Sequence, residues 1–188
     1  YRRRGGRKTS TLPDFYIGAH AAVGDLDLVT RDASRYATYF PTVTVWLGCL
    51  PLYAALVESG PAFGLIDGLA AVVTFGAIII ETVADEQLRN FRRAKREDGD
   101  ICNVGLWAWS RHPNYFGEIS FWVGLWLFGV AAGAPWWAAA GWISMVVLFA
   151  GASIPMAEKR SLARRPHYAE HQKRVSMLIP LPPKKQTA

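Results

Sequence analysis

Three short runs in this 188-residue sequence place polar side chains beside long apolar segments, where they are costly. The first is Glu81-Thr-Val-Ala-Asp85-Glu-Gln-Leu-Arg89-Asn-Phe-Arg92. On a helix turning about 100° per residue, Asp85 lies about 40° and Arg92 about 20° from Glu81, so the three form one stripe. The stripe either faces other helices or a wet cavity, or it is an intrahelical ladder of salt bridges at a membrane boundary.

The second run is Trp109-Ser-Arg-His-Pro-Asn-Tyr-Phe-Gly-Glu118. Pro113 suits the first position of a helix, with Ser110 or His112 near its cap. The helix start, with unpaired N–H groups and the positive end of the dipole, then stands beside Arg111 and His112, an arrangement suited to a phosphate. Asn114 and Glu118 are four apart and share a face that offers donors and acceptors to hydroxyl and amide groups. Gly117 permits close approach of a helix or a ligand. The plainer alternative is a capped helix start whose Glu118 pairs with Arg111 or Arg92. The third run opens the tail: Glu158-Lys-Arg160, Arg164-Arg165-Pro-His-Tyr168 and Lys173-Arg174. Its cations face solvent or lipid headgroups, or they bind a phosphorylated cofactor.

Together these runs supply cations, a helix start, three acids and an amide, which suit a ligand with phosphates and sugar hydroxyls, such as a nucleotide. No GxGxxG or GxxxxGK[ST] is present, so a Rossmann or P-loop site is not indicated. Cys49 lies in an apolar run and Cys102 in a polar loop. They give no disulfide or metal pattern.

The elements that must position these residues are apolar helices. We expect an all-α, polytopic transmembrane bundle of about four spans. The first covers about 42–57, short and kinked at Pro51. The second covers about 63–84, its helix continuing to roughly Lys95. The third covers 113 to about 130 and the fourth about 135–156. All 21 Lys and Arg residues lie in residues 1–35, 89–111 or 159–185. With four spans every cation falls on one side of the bilayer, the positive-inside pattern, and both termini face the cytoplasm or the mitochondrial matrix. Trp107, Trp109, Trp136 and Trp137 stand near span ends, as an aromatic belt requires. This topology accounts for a pI of about 9.5 without nucleic-acid binding. The expected organisation is a polar basic arm over 1–40, a membrane domain over 41–158 and a basic juxtamembrane tail over 159–188. The arm reads as membrane-flanking, with the remainder of an organellar presequence as the alternative. The run after Ile179 is proline-rich and extended.

The run Ser110-Arg-His-Pro-Asn-Tyr-Phe-Gly-Glu118 resembles the signature of steroid 5α-reductase-like membrane proteins, particularly their bacterial and organellar branch. Glu81-x-x-x-Asp85-x-Gln87-x-x-x-Phe91, Gly105-Leu-Trp107, Glu158-Lys-Arg, Arg165-Pro-x-Tyr168 and Arg174-x-Ser-x-x-Ile179-Pro match in the same order. The likeness covers roughly 41–184. It implies NADPH held by the C-terminal helices and hydride transfer to an activated carbon–carbon double bond of a sterol or other lipid. It implies that Asp85 and Arg92 contact the cofactor, that Asn114 and Glu118 contact its nicotinamide end, and that Tyr168 and the basic tail with Arg174 close the site. Arg111 and His112 supply the anion pocket. Glu81 stands where steroid reductases proper carry Asn. Family enzymes have further spans before the matched region, which line the lipid cavity and polarise the substrate carbonyl; residues 1–40 are polar and give none. Tyr115 and Tyr53 are the remaining candidates for the acid that reduction of an enone needs.

Two functions are therefore expected. One is an NADPH-dependent reductase of a membrane lipid. The other is a catalytically idle accessory subunit of a larger membrane complex, whose other subunits cover its helix faces. An S-adenosylmethionine-dependent methyltransferase, on the related isoprenylcysteine branch, is a more distant third. The expected setting is the endoplasmic reticulum, the mitochondrial inner membrane or a bacterial inner membrane.

Overall fold

A computed structural model of the chain describes residues 39–57, 63–94 and 99–184. The basic arm expected over 1–40 lies, apart from its last two residues, outside this set. The described residues from Thr44 onward form one unit, and the packing below is that unit's.

Among the described residues six α-helices follow one another: α1 (Tyr39–Val57), α2 (Leu65–Arg93), α3 (Pro113–Ala131), α4 (Ala140–Leu148), α5 (Ile154–Arg164) and α6 (Tyr168–Arg174). Short 3-10 turns at Gly105–Ala108 and Trp136–Ala139 precede α3 and α4. A π-helical turn, Phe149–Ser153, joins α4 to α5, so Trp136–Arg164 is one continuous helix of 29 residues. The first three expected helical segments are present within about three residues of their expected bounds, and the fourth continues past the expected end at 156 to Arg164. The widened turn inside the last of them was not expected.

Small residues set the packing. On α2 the buried residues are Ala70, Ala77, Ala84 and Phe91, one every seventh position, which makes a straight seam. Gly117 and Gly124 of α3 lie against it. A Cβ at Gly117 would stand 2.9 Å from both the Cβ and the backbone N of Glu81, and one at Gly124 would stand 3.0 Å from the backbone N of Thr74. As residue numbers rise on α3 they fall on α2, so the two helices run antiparallel. Helix α1 runs parallel to α3: Gly48 faces the ring of Trp122, and a Cβ at Gly129 would stand 2.6 Å from the Cβ of Pro51. Pro51 lies inside α1 with its side chain fully buried. Helix α4 joins through Gly141, where a Cβ would stand 2.6 Å from the Cα of Gly48. Such close backbone approach is how apolar helices gain packing contacts where no water drives them together.

At the far end of α3, Gly133 takes φ +85°, a conformation open to glycine at little cost. Its N–H bonds to Val130 O at 3.0 Å and the next N–H, of Ala134, to Gly129 O at 2.8 Å. This closing motif satisfies the last carbonyls of the helix.

Among the described residues, two helices are long and apolar enough to cross a membrane, Leu65–Arg93 and Trp136–Arg164, with only 17% and 28% of their apolar stretches buried in protein. Outward-facing Leu69, Val72, Phe75 and Ile79 on α2, and Ile143 and Val147 on α4, are exposed. The core helix of a water-soluble protein is buried over most of such a stretch. Val43–Val57 is a shorter apolar helix. Helix α3 has 19 residues but carries Asn114 and Glu118 in its first two turns. The first and third of the four expected spans thus do not qualify alone by length and apolarity.

Candidate functional site

The polar residues gather at the end of the bundle where α2 finishes, α3 starts and α5 finishes. Helix α3 starts at Pro113 with His112 as its cap residue and without a side-chain cap bond. The segment before it is held from two sides. From α2, Gln87 Oε1 accepts the Leu106 N–H at 2.9 Å, and the Trp107 indole N–H donates to Ala84 O at 2.8 Å. Gly105 turns there with φ +54°, and a Cβ on it would collide with the Gln87 amide. From the tail, Ser176 O accepts the Arg111 N–H at 2.9 Å and the Leu181 N–H donates to Trp109 O at 3.1 Å. Ser110, fully buried, donates its hydroxyl to Leu178 O at 2.7 Å and accepts the His112 N–H at 3.1 Å. The stretch 176–181 is thus a strap laid alongside 109–111, with an isolated β-bridge between Ser110 and Ser176.

Held in this way, Arg111 and His112 point at one carboxylate, Glu158 near the end of α5. Arg111 Nε stands 2.9 Å from Glu158 Oε1, and the two side chains are 9% and 14% exposed. The Nε–H is off the line to that oxygen, so the contact is an ion pair without a hydrogen bond at Nε. His112 Nε2 lies 3.3 Å from the same oxygen and the Tyr168 hydroxyl 3.5 Å from it, while Gln172 Nε2 donates to Oε2 at 2.6 Å. Three elements therefore meet on Glu158. Arg165 and Arg174 join Arg111 and Glu158 in the electrostatic surroundings of His171 on α6. Burial lowers the proton affinity of His112 against the opposing pull of Glu158. Burial and then the nearby guanidinium groups of Arg111 and Arg174 do the same to His171. Burial raises the Tyr168 hydroxyl above its ordinary range.

The second group is acidic. Glu118 of α3 lies within electrostatic reach of Glu81 and Asp85 of α2, as the Gly117–Glu81 approach requires. Tyr115 lies between the two groups. Its ring stacks on His112 at 5.4 Å, leans on Phe149 of the π-helical turn at 4.8 Å, and feels Arg160, Glu118 and Asp85.

The expected residues thus fall into two neighbouring sets. Asp85, Glu118 and Glu81 come together, as do Arg111, His112 and Tyr168, with Arg174 beside His171. Arg92 is exposed at the end of α2 and makes no ion pair among the described residues. On that helix Arg89 pairs with Glu86, at 2.7 Å. Asn114, one turn before Glu118, is half-buried. Tyr53 is exposed on α1. Arg111 pairs with Glu158, not with Glu118. The sequence carried Glu158 only as part of a tail motif. Its one local signal is an acid set between an apolar run and a basic one.

The described residues form an all-helical bundle with two helices of membrane-spanning length and a polar, cation-rich cluster at one end. The family model described as "Protein of unknown function (DUF1295)" matches residues 29–175. The chain belongs to this family, a steroid 5α-reductase-like group. It is 28% identical over 166 residues to "Uncharacterized protein C594.04c" of Schizosaccharomyces pombe, a match covering 77% of this chain and 48% of that protein. The chain thus spans about half the length of the curated relative it matches. No solved structure matches.

Proposed function

We propose that this chain is a membrane-embedded, NADPH-dependent reductase of a carbon–carbon double bond in a sterol or other lipid, with four spans and its cation-rich end on the cytoplasmic or matrix side. The observation that carries the reading is the juxtaposition, at one end of the bundle, of a cationic set around Arg111 with an acidic set around Glu118. The resemblance of the family to steroid 5α-reductases is what suggests the reaction class.

The donor set fits the cofactor. NADPH has three phosphates, which call for guanidinium groups and helix-start N–H groups, and sugar hydroxyls and a carboxamide, which call for carboxylates and amides. Arg111, Arg174 and His112 would take phosphates. Asp85, Asn114 and Glu118 would take the hydroxyl and carboxamide end, with Tyr168 closing the site and Arg92 reaching it from the end of α2. Bound NADPH supplies the hydride. The chain's own part is to orient the reacting faces, exclude water and deliver a proton to the second carbon. Tyr115, between the two sets, is the candidate donor.

The test is NADPH binding to the purified full chain in lipid nanodiscs, followed by cofactor fluorescence. Wild type should bind, and Asn114→Ala and Arg111→Ala should each weaken binding about tenfold or more, equivalent to about 1.4 kcal/mol. Absence of NADPH binding in wild type would reject the reductase in favour of the accessory-subunit reading.

A further inference from the structure

Glu158 holds a place that a ligand's phosphate would be expected to fill. Its carboxylate meets Arg111 and His112 at the start of α3, and it also meets Tyr168 and Gln172 of α6. The contacts on the cationic side are poor for a resident partner. Arg111 is engaged through Nε alone, off the hydrogen-bond line, and the His112 contact is long at 3.3 Å. Among the described residues the Arg111 side chain donates no hydrogen bond, and its Nε is buried without one. A guanidinium binds an anion best through two parallel N–H bonds. A tetrahedral oxyanion offers that geometry, whereas Glu158 makes a single off-line contact.

We propose that Glu158 is a built-in competitor for the anion site: its carboxylate occupies Arg111 and His112 until a phosphate-bearing ligand displaces it, and the displacement loosens α6. This rests on the reading of Arg111 as a phosphate ligand and adds how that site is regulated. The short bond is the one to Gln172, at 2.6 Å. Expelling the carboxylate from Arg111 therefore moves or breaks its hold on α6. Binding and helix docking become two sides of one equilibrium, each changing the other by the same factor.

Inorganic pyrophosphate is a suitable probe, titrated into the full chain in nanodiscs. Glu158→Gln keeps an oxygen for Arg111 Nε and removes the competing charge. It should tighten pyrophosphate binding about tenfold, within the range of ordinary coupling energies. Arg111→Ala should remove the gain. Hydrogen exchange on wild type provides the second measurement: saturating pyrophosphate should speed amide exchange across Tyr168–Arg174. If wild type binds pyrophosphate and Glu158→Gln binds equally or less well, the competitor is overturned while the phosphate site stands. Unchanged exchange across α6 on saturation overturns it too, even if the variant fails to fold. If neither wild type nor variant binds pyrophosphate, the phosphate site itself is lost, and the competitor with it.

Discussion

Arg111 Nε and Glu158 Oε1 stand 2.9 Å apart, joining the start of α3 to the end of α5 in a pair that is almost closed to solvent. Removing one member of such a pair strands the other charge. Glu158→Ala should therefore cost about 3 kcal/mol of stability or more. Glu158→Gln, which keeps polar partners for Arg111 and Gln172, should cost less. Thermal unfolding in one detergent compares the two, and equal melting temperatures would contradict a buried pair.

Ser110 is the next weak point. Its hydroxyl serves the tail carbonyl of Leu178 and the N–H of His112 at once. Ser110→Ala leaves the buried His112 N–H and the part-buried Leu178 carbonyl without this partner, at a cost of about 1–3 kcal/mol. Limited proteolysis should then cut the strap at 176–181 sooner than in wild type. An unchanged cleavage pattern would count against the strap.

Gly117→Ala places a methyl group 2.9 Å from the Glu81 backbone, which cannot step aside as a flexible side-chain tip can. The seam must open, at about 1–3 kcal/mol. Gly76→Ala is the control: nothing lies within 4 Å of the added atom, and replacing a helical glycine with alanine there should be neutral or gain up to about 1 kcal/mol. If both variants melt alike, α2 and α3 do not meet at Glu81.

His112 and His171 both have proton affinities pushed below the ordinary value of 6.5 by burial. The folded chain keeps them neutral where the unfolded chain would take up protons. Their contribution is therefore complete above pH 6.5 and is lost as pH falls through their depressed folded-state values. The melting temperature should fall on acidification below that point, and His171→Gln should flatten the fall. A slope that His171→Gln leaves unchanged would rule out the His171 part.

Much of the fold was legible in the sequence because its signals are local. Pro113 after His112 announces a helix start, cation-free apolar runs announce long helices, and Gly117 announces close approach. The acidic set was legible for the same reason, since Glu81 and Asp85 share one face of a single helix. The meeting of Arg111 with Glu158 was not. Periodicity says which side of a helix a residue occupies but not which distant helix faces it, so Arg111 and Arg92 looked equally good partners for Glu118. The role of Gln87 was hidden similarly: its amide serves the backbone of a 3-10 turn that apolar patterning does not reveal. The π-helical turn at Phe149–Ser153 carries no proline or charge itself; Pro155, two residues on, is its nearest local signal.

That turn has a mechanical consequence. A π-turn fits one extra residue into a helical cylinder, and each α-helical residue advances the azimuth by about 100°. Phe149–Ser153 therefore works as an angular spacer that aims everything downstream. Excising one residue from it would restore a regular α-helix and keep the Glu158 carboxylate on its bearing, whereas closing the turn into α-helix with all five residues kept would swing that carboxylate by roughly a quarter-turn.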